Sequence, residues 1–62
     1  MKWTACDLYG ELFGIKNFDV PKTIKNKIWI FLTDSAWFGD DYQETKNKAE
    51  DYIAEWRIKN QA

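Results

Sequence analysis

Five large apolar residues in succession, Ile28-Trp29-Ile30-Phe31-Leu32, form the most apolar stretch of the chain. The run is too short for a typical helix and rich in β-branched and aromatic residues. Polar residues close both ends, Asn26-Lys27 before it and Thr33-Asp34-Ser35 after it. Taken alone, these features read as a β-strand. Alternation along a strand sends Ile28, Ile30 and Leu32 to one face and Trp29, Phe31 and Thr33 to the other. Both faces are apolar, so both need cover. The 62 residues allow a single small domain, 1–62. A domain of this size buries a small share of its surface. Four Trp, four Phe and three Tyr compensate, since each aromatic can bury on the order of 150–250 Å².

Around that run the chain reads as three strands and a helix. Residues 2–20 admit a hairpin: a strand over Lys2–Leu8, a turn at Tyr9-Gly10-Glu11 and a strand over Leu12–Phe18. They also admit a short helix. Ala5, Leu8, Tyr9, Leu12 and Phe13 share helical spacing, Thr4 stands where an N-cap belongs and Gly14 where a C-cap belongs. The hairpin is adopted because Gly10 inside a helix costs roughly 1 kcal/mol. A helix would also leave the central strand short of partners. Pro21 breaks the pattern, and Lys22–Lys27 reads as a polar connection. After the strand, Asp34–Gly39 reads as a loop bearing Trp37 and Phe38. The C-terminal segment is helical: Tyr42, Thr45, Ala49, Tyr52, Ile53 and Trp56 form one stripe, with Asp40 or Asp41 as cap. Ile58 falls outside the stripe and is expected to be exposed. The expected fold is α+β, a three-stranded antiparallel β-sheet (meander) packed on one C-terminal α-helix. The helix covers Ile28, Ile30 and Leu32 and leaves Trp29 and Phe31 open.

Several functions are disfavoured. The chain has no His, the commonest general base and metal ligand. Cys6, Ser35 and the threonines therefore lack a base to activate them. Gly10, Gly14 and Gly39 are isolated, so no phosphate loop is present. Asp34, Asp40, Asp41 and Glu44 do not match a calcium loop: Ala36 and Phe38 fall at its third and fifth positions. Neither an enzyme nor a cofactor is expected. A single cysteine points to a reducing compartment, with Cys6 read as a small buried hydrophobe. No apolar segment follows Met1-Lys2-Trp3, and no run approaches a membrane span, so a cytoplasmic setting without membrane contact is expected.

Trp29 and Phe31 on an open sheet face suit base stacking, with Lys22, Lys25 and Lys27 as phosphate contacts. Against this, the net charge is −1 and no basic stripe stands out. Three strands followed by a helix that opens on Glu44-Thr45-Lys46-Asn47-Lys48-Ala49-Glu50 loosely resembles the arm-type DNA-binding domains of tyrosine recombinases. In that family a Thr-Lys-x-x-Ala-Glu run begins the helix and the sheet enters the major groove. The resemblance covers about this run alone, and the family's basic sheet residues are missing here.

Protein binding is the favoured class. Trp29, Phe31, Trp37 and Phe38 are the candidate partner-binding patch, since exposed aromatics anchor interfaces. Glu44, Glu50, Asp51 and Glu55 form a candidate acidic contact face. The expectation is a small non-enzymatic binding protein acting on a larger protein partner. Its size and Lys/Asn-rich, Arg-poor composition suit a phage or mobile-element accessory protein, or an inhibitor of a larger host complex. A nucleic-acid-binding module is the second reading and a homodimeric structural protein the third.

Overall fold

The computed structural model describes residues 3–60. It contains three α-helices: α1 over Ala5–Phe13, α2 over Lys22–Phe38 and α3 over Tyr42–Asn60. No strand is present among the described residues. The expected α+β fold is therefore wrong, and the molecule is all-helical. Lys2, at the start of the first expected strand, lies outside the described residues.

The helix alternative for the N-terminal segment is the one adopted. Thr4 caps α1 through a capping box. Its hydroxyl accepts from the Asp7 amide (3.2 Å), and the Asp7 carboxylate accepts from the Thr4 amide (3.4 Å). Gly10 lies inside the helix, and its local cost is outweighed by burial of Ala5, Leu8, Leu12 and Phe13 on one face. At the end of α1, the Gly14 amide donates to the Gly10 carbonyl (2.7 Å). A Cβ on Gly14 would run into that same carbonyl oxygen.

The run Ile28–Leu32 is the middle of α2. Five consecutive apolar residues satisfy a period of 2 and a period of 3.6 equally well, so the run could not identify its own conformation. The residues around it decide. Ile24, Ile28 and Leu32 recur at i, i+4 and i+8, and Ser35 extends their face toward the helix end. Ile28, Leu32 and Ser35 are buried and Ile24 is partly buried. Both supposed strand boundaries are helix signals. Pro21 is the N-cap of α2, where a missing N–H costs nothing, and Lys22–Lys27 forms its first turns. Gly39 ends the helix in the left-handed region (φ 77°). Its amide donates to Ala36 (3.2 Å) and the Asp40 amide donates to Ser35 (2.9 Å), a Schellman closure.

The expectation for α3 matches the structure. Asp41 caps it, accepting from the Glu44 amide at 3.0 Å. Thr45, Ala49 and Ile53 are buried, and Tyr42 and Trp56 pack against the core. Tyr52, placed on the same stripe, sits at its edge and is 41% exposed.

The helices run up, down and up. Tyr9 meets Trp29 and Lys25 lies over the Phe13 ring, so α1 and α2 are antiparallel. Arg57 near the end of α3 reaches Asp19 just before α2, so these two are antiparallel as well. Leu8, Leu12 and Leu32 are fully buried at the centre. Cys6 is exposed, because the core side of α1 is taken by Ala5, Leu8 and Leu12; it is not the buried hydrophobe expected.

Candidate interaction surface

In a helix each residue turns by about 100°, so neighbours two apart point in nearly opposite directions while residues seven apart share a face. That rule takes the expected aromatic patch apart. Trp29 and Phe31 lie on opposite flanks of α2. Trp29 turns toward α1, edge-on to Tyr9 with ring centres 5.4 Å apart, and keeps 37% of its surface exposed. Phe31 turns toward α3 and packs against the core. With Ile28, Ala49 and Tyr52 it lines an apolar groove of about 280 Å³ between α2 and α3, with Lys27 and Lys48 also in its lining.

The other two aromatics project into solvent. Trp37 is 85% exposed and Phe38 77%. Ile30, seven residues before Trp37, is 60% exposed on the same outward face of α2. The strand reading had assigned Ile30 to the core beside Ile28 and Leu32; helical rotation puts it on the opposite side. Lys27 and Asp34 flank Ile30 on this face, both exposed. Neither joins an ion pair among the described residues. The outward stripe thus runs Thr23, Lys27, Ile30, Asp34, Trp37. Ile30 was the residue that sequence reasoning missed, and its i, i+7 relation to Trp37 was the signal that could have found it.

The lysines do not form a phosphate-binding strip. Lys25 is drawn back over Phe13, 5.5 Å from the ring centre. Lys22 and Lys27 sit at different angles around α2. Without a sheet there is no shared platform for base stacking. The Thr45-Lys46 run lies in the first turns of α3 with no sheet beside it, so the recombinase resemblance loses its structural basis.

The acidic face is divided too. Glu44, Asp51 and Glu55 share the outer side of α3, with Glu44 paired to Lys48 at 3.4 Å. Glu50 turns toward α1 and meets Lys16 at 3.1 Å. Two further clusters tie the bundle together. Arg57 donates to both carboxylate oxygens of Asp19 (2.6 and 3.1 Å) and to the Asn17 carboxamide oxygen (2.8 Å). The Asn17 amide in turn donates to the Leu12 carbonyl (2.8 Å) from a left-handed backbone, φ 60°. The Arg57 guanidinium holds the Asp19 carboxyl below its ordinary range. At the other end the Trp3 indole donates to the Asp40 carbonyl (2.8 Å) and packs edge-on to Tyr42. Glu11, which accepts from the Tyr42 hydroxyl and pairs with Lys46 at 3.2 Å, is held below the usual carboxylate range. The same contact, with burial, pushes the Tyr42 phenol up to about 12.

These clusters span helices and have structural partners on every side. No group of three or more His, Cys, Asp or Glu side chains converges on a metal position among the described residues. No helix among them is long and apolar enough to cross a membrane. No family model matches the chain, and neither the curated proteins nor the solved structures provide a match. Ile30, Trp37 and Phe38 of α2 are exposed apolar side chains that the fold itself does not account for, as are Ile15, Phe18 and Ile58 elsewhere.

Proposed function

We propose that this protein is a non-enzymatic binding protein that acts by protein–protein interaction through the outward face of α2. The observation that carries the reading is the exposure of Ile30, Trp37 and Phe38 on one helix. Water contact with such side chains is unfavourable by roughly 25 cal/mol per Å² of apolar surface. Large apolar groups gathered on one face are the usual anchors of an interface, with Trp foremost among them. A small helical bundle that presents Trp37 and Ile30 on one helix suits occlusion of a protein surface.

A photo-crosslinking residue at position 37, in the cells that make the protein, tests this. The expected result is a discrete protein adduct heavier than the 7.4 kDa chain, absent when the same residue replaces the exposed Glu55. No adduct from position 37, or the same adduct from both positions, overturns the reading.

A further inference from the structure

The outward stripe of α2 is self-complementary. Ile30 sits at its middle, Lys27 three residues before it and Asp34 four residues after it. Trp37 and Thr23 lie seven residues to either side. We propose that a second copy of the chain covers this face, the two α2 helices packing antiparallel about a two-fold axis close to Ile30. This rests on the reading of α2 as an interface and names its partner.

The register follows from the spacing. At 1.5 Å rise per residue, Lys27 lies about 4.5 Å from the axis and Asp34 of the other copy about 6 Å, on the same side. Each Lys27 therefore faces an Asp34 across the interface, and the symmetry makes the pair twice. The Trp37 ring of each copy falls opposite Thr23, a small side chain that leaves room for an indole. Ile30 meets its own symmetry mate at the centre. In a parallel pair each charge would instead face its own copy, Lys27 on Lys27 and Asp34 on Asp34, and repel. An isologous contact of this kind closes on itself as a dimer.

Ile30 (60% exposed) and Trp37 (85%) are the apolar residues on this face, and Phe38 (77%) stands about 100° around the helix from Trp37, at its rim. The flanks leave room for this contact: α1 and α3 cover the other two sides of α2, Trp29 facing Tyr9 of α1 and Phe31 lining the groove with Ala49 and Tyr52 of α3.

Sedimentation equilibrium on the full chain, with charge variants, tests the arrangement. Lys27 and Asp34 are both exposed and outside the chain's own ion pairs, so Lys27→Glu and Asp34→Lys keep the fold, which circular dichroism verifies. The wild type is expected to sediment at twice 7.4 kDa. Each variant alone places like charges opposite each other twice and is expected to dimerise at least about tenfold more weakly. Mixing the two variants restores opposite charges at both pairs and is expected to recover the dimer. A monomeric wild type at sub-millimolar concentration overturns the proposal. Variants that dimerise as the wild type does, or a mixture that stays monomeric, overturn it too. Crosslinking from position 37 to a different protein, with a monomeric wild type, removes the self-pairing while leaving the interaction reading in place.

Discussion

The three glycines of the chain do three different jobs. Gly39 takes a left-handed backbone to close α2, and a side chain there costs about 1 kcal/mol. Gly14 has an ordinary backbone, but its missing Cβ leaves room for the Gly10 carbonyl. Gly10 itself has open space where a Cβ would stand and lies inside a helix. Gly10→Ala is therefore expected to stabilise the protein by about 0.5–1 kcal/mol, through lower unfolded-state entropy and better helix propensity. Gly14→Ala and Gly39→Ala are expected to destabilise it. Urea denaturation of the three variants checks the order. A Gly10→Ala variant less stable than wild type would mean that the α1 backbone is not the one described. The same residue illustrates what local reasoning weighs badly. The cost of Gly10 in a helix was legible, but the compensation comes from Leu8 and Leu12 meeting α2, which no local rule contains.

The difference between a strand and a helix at Ile28–Leu32 is testable in two substitutions. A strand puts Ile30 and Leu32 on one face; the helix α2 puts Leu32 in the core, fully buried, and Ile30 at 60% exposure. Leu32→Ala is expected to cost about 2–5 kcal/mol. Ile30→Ala is expected to change the stability of the monomer by less than about 0.5 kcal/mol, as exposed positions do. Thermal unfolding of dilute protein separates the two; equal losses would return the run to the strand assignment. The helix at Tyr42–Asn60 was readable because Thr45, Ala49 and Ile53 recur at four-residue spacing among charged residues and Asp41 stands at its start. α2 was not, because the apolar run erases the period at its centre. Its end signals, Pro21 and Gly39, also suit the loops of a sheet protein. Trp37 and Phe38 were recognised as candidates from residue type alone, and both are exposed, Trp37 on the outward stripe and Phe38 beside it. Trp29 and Phe31 were grouped by a period that the structure does not have.

At the scale of the whole molecule, side chains far apart in sequence lock the bundle at both ends. Arg57 holds Asp19 and Asn17 at one end, and Tyr42 and Lys46 hold Glu11 at the other. The direction of each pKa sets the pH response. Asp19 and Glu11 are lowered in the folded protein, so their contribution is present above the ordinary carboxylate range and is lost as pH falls through it to the folded values. Tyr42 is raised from 10.0 to about 12. Its contribution is fully present below pH 10 and is lost as pH rises toward about 12. Melting temperature against pH is thus expected to show a plateau with a fall on each side. Tyr42→Phe should flatten the alkaline limb, and Asp19→Asn should weaken the acid one. A Tyr42→Phe variant with an unchanged alkaline limb would place that loss in other groups. The sequence by itself determined which residues are apolar, where α3 lies and how it is capped, and that no histidine chemistry is available. These follow from composition and from interactions within a few residues. Only the tertiary structure decided that Ile28–Leu32 is helical and that Ile30 joins Trp37 outside while Leu32 turns inside. A five-residue apolar run carries no period of its own, so its conformation is set by which neighbours cover it, here α1 on one flank and α3 on the other.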